Sequence, residues 1–191
     1  MSLWKLLTAQ YNDAGATARL RIDAATNTLQ VIEYEHHEIH AESHYFWEDT
    51  TVLANAATWD IAFRTANTTE WTHIILNVVS SLGSTVEVYE GDTITWDGTA
   101  ETSFNNDRNS SNTSNWQEFE TDPTIVTPGT LLAKATLGTS TNPNQGLPGA
   151  ASRSREIICK QNENYRVRVT SNNNSNDVTV SLQWYEHTNK N

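Results

Sequence analysis

One cysteine, one methionine, four prolines and eight glycines are all that this chain of 191 residues holds of those types. The lone Cys159, in REIICK, excludes an intramolecular disulfide and a zinc-thiolate set. No base stands near it to activate it, so a small buried thiol is expected. Positive charge is scarce too: 12 Lys and Arg against 23 Asp and Glu leave a formal net charge of −11. No basic stripe interrupts that acidity, which excludes nucleic acid and anionic membranes as expected partners. Long apolar runs are missing. Nothing approaches the roughly 20 residues of a membrane span. The opening MSLWKLLTAQYNDAGATAR lacks the core of a signal peptide, so synthesis in the cytoplasm is expected. There is no G-x-S-x-G elbow, P-loop or dinucleotide fingerprint, so acyl transfer, nucleotide hydrolysis and Rossmann redox chemistry have no support. No cofactor is expected.

What fills the space is polar and aromatic. Thr (27), Asn (20) and Ser (15) dominate, and there are seven Trp. Thr and Trp suit a pleated, half-buried surface; Asn and Ser suit turns, where they bond their own backbone. ATWDIAFRT (57–65), EWTHIILNVVSS (70–81) and STVEVYEGDTITWDG (84–98) alternate as strands, the last as two arms of a hairpin. ARLRID and TLQVIEYEHHEI (28–39) read as an earlier hairpin. REIICKQ, YRVRVTS and VTVSLQWYEH at the end read as three antiparallel strands in a row. Two polar runs, 97–115 and 139–154, are long loops, which in a compact domain are usually functional or disordered. Roughly eight to ten short strands and no long amphipathic helix predict an all-β antiparallel β-sandwich, jelly-roll-like. Its residues are 17–191, preceded by an N-terminal arm, 1–16.

EYEHHEIHAESHYFW (33–47) holds four of the six histidines. As a strand it lines up Tyr34, His36, Glu38 and His40 on one face. As a helix it stacks His36, His40 and His44, and either arrangement has donors for a metal. The zinc-protease pattern His-Glu-x-x-His fails, because HHEIH leaves one residue too few between Glu38 and His40. The expected role is a polar strand surface used in assembly, ahead of a metal site. Glu33, Glu35, Glu38, Glu42, Glu48 and Asp49 are candidates for a glycosidase-like carboxylate pair. Trp59, Trp71, Trp96 and Trp184 sit on alternating strands and are expected in the core. Trp4, Trp47 and Trp116 lie by polar or terminal segments and are expected at a partner surface. In NNDRNSSNTSN (105–115), Arg108 is the one cation, a donor for a partner's carboxylate whether the loop is a flexible tip or a braced turn.

IEYEHHEIHAESHYF, then WTHIILNV (71–78), then NNDRNSSNTS resemble a family of small structural proteins of tailed bacteriophages, the head decoration or cement proteins. The resemblance runs from residue 20 to the C-terminus, and the His-rich run and the NNDRNSS loop are its most specific parts. It implies a β-sandwich subunit on the outer capsid surface of the virion that stabilises the lattice. The implied partners are the major capsid protein and itself, as a homotrimer, and the resemblance implies no enzyme activity. Leu3, Trp4, Leu6, Leu7 and Tyr11 then form a capsid-binding arm that orders on docking. Tyr34, His36, Glu38, His40, His44 and Arg108 become the subunit-contact residues. The alternative is a carbohydrate- or receptor-binding module on a phage particle, with a surface glycan as partner and an exposed aromatic platform to stack on it.

Overall fold

Alternation builds the architecture. In YRVRV the buried Tyr165, Val167 and Val169 share one face, and in VTVSLQW the buried Val178, Val180, Leu182 and Trp184 share another. Each strand thus offers one apolar face, and two sheets close those faces on each other. The computed structural model describes residues 12–13, 16–17, 34–138 and 156–188. The chain divides into two compact units, Met1–His37 and Glu38–Asn191. That boundary lies beyond the 16/17 boundary read from sequence. In the first unit, β1 (Asn12–Asp13) pairs antiparallel with β2 (Ala16–Thr17). The expected capsid-binding residues Leu3, Trp4, Leu6, Leu7 and Tyr11 lie outside the described residues.

Helix α1 (Tyr34–His40) leads into the sandwich. The strands are then β3 (His44–Leu53), β4 (Thr58–Arg64), β5 (Glu70–Ser80), β6 (Ser84–Glu90) and β7 (Thr93–Thr95). Next come β8 (Thr99–Ala100), β9 (Phe104–Asn105), β10 (Glu118–Thr121), β11 (Thr124–Thr127) and β12 (Thr130–Leu137). β13 (Ile157–Ile158), β14 (Asn164–Ser171) and β15 (Asn176–Thr188) complete the order. One sheet runs β12-β6-β14-β4-β10-β8, the other β13-β5-β15-β3-β9, and β11 and β7 form a separate ribbon. The result is an all-β antiparallel sandwich. Its pairings are nested: β3 with β15, β4 with β14, β5 with β13, β6 with β12.

Nesting overturns three expected strand pairings. β13, β14 and β15 are not neighbours: β14 lies between β4 and β6, and β15 lies between β3 and β5 in the opposite sheet. β6 and β7 likewise pair with β12 and β11, not with each other. Alternation reports which face is buried, not which strand lies alongside. Where the chain crosses between sheets, one residue holds the corner. Asn176, fully buried, accepts at Oδ1 from Ser80 Oγ (2.9 Å), Ser81 Oγ (3.2 Å) and Leu82 N (2.7 Å). Its Nδ2 donates to Ser84 Oγ (2.8 Å), Ser171 Oγ (3.0 Å) and the Gly83 carbonyl (3.3 Å).

Between the sheets runs an aromatic column. Trp184 stacks on Trp116 with centroids 3.9 Å apart, and Trp116 stacks on Phe63 at 4.0 Å. Tyr45 and Tyr165 flank the two ends. Trp47 is buried against Trp59 and Phe119. Trp47, expected at a partner surface, is therefore part of the packed interior, and Trp116, half-buried, packs against that interior. Trp59 and Trp184 take their expected core places, whereas Trp71 and Trp96 are only half-buried. Cys159 is buried, and burial pushes its thiol far up, away from nucleophilic chemistry.

Candidate functional site

The His-rich run changes structure in the middle. Residues 34–40 are helical, not extended, and the strand starts only at His44. The helix ends in a Schellman cap: Ser43 N donates to Glu38 O (3.1 Å) and Glu42 N to Ile39 O (3.0 Å), with Glu42 left-handed at φ 60°. Ser43 Oγ also donates to Glu38 Oε2 at 2.6 Å. The single-face row expected of a strand is therefore divided. His36, His37 and His40 are exposed on the helix, while Glu38 is buried and His44 is fully buried on β3. Tyr34 lies in the helix.

The run meets the polar loop 105–115. Asn105 Nδ2 donates to the Glu42 carbonyl (2.8 Å), and Asn106 N donates to the His44 carbonyl (2.9 Å). Asn106 Nδ2 lies 2.6 Å from His44 Nδ1. Glu42 Oε2 accepts from Ser110 Oγ (2.7 Å) and Asn112 Nδ2 (3.2 Å). Further on, Ser114 Oγ (2.6 Å) and Asn115 N (2.9 Å) donate to the two oxygens of the buried Glu186. Tyr45 Oη reaches the Thr113 carbonyl at 3.2 Å. Within the loop, Asp107 N donates to Asn105 Oδ1 and Asn109 N to Asp107 Oδ1, the short-range turns these residue types favour. A run of loop sequence is thus a braced surface. Arg108 is exposed on it, its guanidinium 5.2 Å from the Phe104 ring centre.

Beside the loop opens a hollow of about 420 Å³ whose lining includes Glu42, Tyr45, Glu70, Asn112, Asn115 and Glu186. Burial holds the Glu186 carboxyl above the usual range, against the pull of its three donors. Burial and the nearby carboxylates push Tyr45 up to about 12. Asn115 Nδ2 donates to Glu70 Oε2 at 2.6 Å. All three carboxylates accept hydrogen bonds from the loop, so they act first as its supports. Among the described residues no group of three or more His, Cys, Asp or Glu is placed to hold a metal. No family model, curated protein or solved structure matches this chain.

Glu186 is a site residue that the sequence reading does not single out, although a signal for it exists. It has the same strand parity as Val178, Val180, Leu182 and Trp184, all inward. A carboxylate on an apolar face needs buried donors, and the loop supplies them.

On the other face of that sheet, His44, Tyr185 and His73 lie in register across β3, β15 and β5. Burial drops the His44 pKa to about 4, against a smaller opposing pull from Glu38. Above pH 6.5 the ring is neutral both folded and unfolded. As pH falls toward 4 the unfolded chain takes a proton that the folded one refuses, so stability is lost in that window. The shift from 6.5 to about 4 corresponds to about 3 kcal/mol. The raised Glu186 works with the opposite sign and offsets part of this. Urea midpoints between pH 7 and pH 4 should fall more steeply for the natural chain than for His44→Asn. Parallel profiles would remove His44 as the cause.

Proposed function

We propose that this chain is a tailed-bacteriophage head decoration protein, a subunit that binds the major capsid protein on the outside of the assembled head and stabilises the lattice. One observation carries the reading. The two most specific segments of the family resemblance, the His-rich run and the NNDRNSS loop, interlock through Glu42, His44, Asn105, Asn106 and Ser110. A surface braced in advance loses little conformational entropy on docking, which suits a protein that settles on a finished shell. We read the nested strand pairing as that of a jelly roll. In this reading the protein acts on the virion surface as a homotrimer. The exposed His36, His40 and Arg108 make the subunit contacts in this reading, whereas Glu38 and His44 are buried. Leu3, Trp4, Leu6, Leu7 and Tyr11 supply the apolar anchor, and avidity over many subunits strengthens the coat.

The test is to mix the purified chain with heads that lack it and to sediment the mixture. A fixed copy number per head, with heads that survive a higher temperature, is the expected result; no binding overturns the proposal. Deleting residues 1–12 should weaken binding about tenfold or more, because each apolar side chain left unburied forfeits about 1.5–3 kcal/mol. Melting of the sandwich should be unchanged. Equal binding by the shortened chain would remove the arm from the account. Light scattering of the free chain should report a trimer.

A second reading, a carbohydrate- or receptor-binding module on a phage particle, draws on the hollow beside Tyr45. Its Glu42, Glu70, Asn112 and Asn115 suit a hydroxyl-rich ligand. Sugar affinity that disappears in Asn112→Ala would select this reading.

A further inference from the structure

The one cation of the braced loop rests on a pair of aromatic rings. Phe46 and Phe104 lie opposite each other on β3 and β9, with ring centres 5.8 Å apart. Phe46 is on the outward side of its sheet, since its neighbours Tyr45 and Trp47 point into the core. It is half-buried, and Phe104 beside it is 44% exposed. Arg108 covers the pair: its guanidinium is 5.2 Å from the Phe104 ring centre, and its Nη1 reaches the Asn105 carbonyl at 3.4 Å.

Charge sets this arginine apart. Among the described residues, Lys134 pairs with Glu87, Lys160 with Glu90, Arg166 with Asp60 and Asp92, and Arg168 with Asp60. Arg64 bonds Asn164 and stands over the Trp96 ring. Arg108 is exposed and pairs with no carboxylate, in a chain that carries 23 Asp and Glu. A carboxylate does lie on the same patch. Glu48 is two residues beyond Phe46 on the same face of β3, exposed, and engages no cation among the described residues. Asp49, next to it, points to the other face and holds its own neighbour's Thr50 N at 2.8 Å.

We propose that this patch joins one copy of the chain to the next: Arg108 of one subunit pairs with Glu48 of its neighbour, around an apolar centre of Phe46 and Phe104. The inference rests on the homotrimer reading above and names the contact that closes it. Arginine and aromatic rings are the residue types that carry binding energy at interfaces. The guanidinium is planar and its donors match a carboxylate in two parallel bonds, so the ring beneath it aims it while its edge stays open to a partner. The loop under it is already braced, and little further ordering is lost on contact. A cation and a carboxylate that share a patch without engaging each other make that patch complementary to a second copy of itself. In a ring of three, each subunit gives its arginine to one neighbour and its carboxylate to the other, and the contact repeats until it closes.

The experiment is sedimentation equilibrium of the full chain at pH 7.5, natural and variant, with head binding measured on the same preparations. The natural chain should be a trimer. Arg108→Glu and Glu48→Arg, each alone, should raise the concentration at which the trimer half-dissociates by about tenfold or more. Together they should bring it back to within about threefold of the natural value, because the exchanged charges meet again across the contact. A natural chain that is a monomer or a dimer, a single variant that holds its trimer as tightly as the natural chain, or a double variant no tighter than the singles overturns the proposal. Glu48 lies outside the loop, so Glu48→Arg keeps the test decisive if Arg108→Glu disturbs the fold. Head binding separates the two failures. Heads that take up a chain whose trimer ignores both charges leave the decoration reading standing and remove this contact alone; heads that take up nothing overturn that reading, and the charge exchange still decides the contact.

Discussion

Arg166→Met is expected to cost about 3–5 kcal/mol of folding stability, the cost typical of breaking a buried ion pair from one side. The guanidinium is 1% exposed, although it sits on the outward side of β14. Its Nε donates to Asp92 Oδ2, its Nη1 donates to Asp60 Oδ1 at 3.0 Å, and its plane lies 4.2 Å from the Tyr89 ring centre. Arg168 holds the rest of Asp60 with two bonds, at 2.8 and 2.7 Å. Asp92 also accepts at Oδ1 from Gly129 N at 2.5 Å, which fastens the β7–β11 ribbon to the sheet. Only glycine fits at 129, because a Cβ there would overlap the Glu90 carbonyl. Methionine fills much of the arginine's volume, so the loss comes from Asp92 being left as a buried charge without its cation. Against a total stability of about 5–15 kcal/mol, the variant stands close to unfolding. Its melting temperature should fall by roughly 6–20 °C. Adding Asp92→Asn should recover part of the loss, since it removes the stranded charge and keeps the acceptor for Gly129. A loss under about 1 kcal/mol, or no recovery in the double variant, would show that the network is held by something other than charge pairing.

The sequence announces the faces of this sandwich more clearly than its neighbours. Tyr165, Val167 and Val169, and then Val178 through Trp184, are inward as their alternation requires. Yet the turn between them, with Ser175 at φ 53°, carries the chain from one sheet to the other. A polar NNNSND turn reads the same for a hairpin and for a crossing. What distinguishes them is Asn176, whose six hydrogen bonds no pattern foretells. The His-rich run misleads for a different reason. Tyr34, His36, Glu38 and His40 satisfy a period of two, but YEHHEIH has a single β-branched residue, Ile39, to favour a strand. Its helix ends on Glu42 in the left-handed conformation, where glycine is the usual marker.

The braced loop is half legible. Its Asn, Asp and Ser residues foretell local turns, and those turns are present at Asp107, Asn109 and Asn112. What local sequence cannot supply is the distant partner. Glu42 and Glu186 lie on either side of the loop in sequence, 63 residues before Asn105 and 71 after Asn115. Trp116 misleads for the same reason. It follows a polar run and resembles a surface anchor, but Ser114 and Asn115 bond inward to Glu186 and draw the indole between the sheets.

That coupling sets the other large expectation: Trp184→Ala should cost about 3–5 kcal/mol, as large aromatic truncations in a packed core do. Trp184 is fully buried, stacks 3.9 Å from Trp116, and lies 5.9 Å from Tyr45. Truncation leaves a cavity in the middle of the aromatic column, where two rigid sheets restrict collapse. It also removes the indole N–H that donates to Ser114 Oγ (3.1 Å) and Glu186 Oε1 (3.2 Å). The second loss falls on the loop. Glu186 would keep Ser114 and Asn115 but lose its donor from beneath, and Trp116 would lose one of its two stacking partners. Trp184→Phe separates the effects, because it keeps most of the ring area and forfeits the N–H bonds. It should cost less than the alanine variant in total stability and still speed amide exchange across residues 105–116. If the phenylalanine variant leaves loop exchange untouched, the carboxylate under the loop is held by Ser114 and Asn115 alone, and core and surface are built independently. If loop exchange rises in step with the lost bonds, the recognition surface proposed here inherits its rigidity from the indole of Trp184.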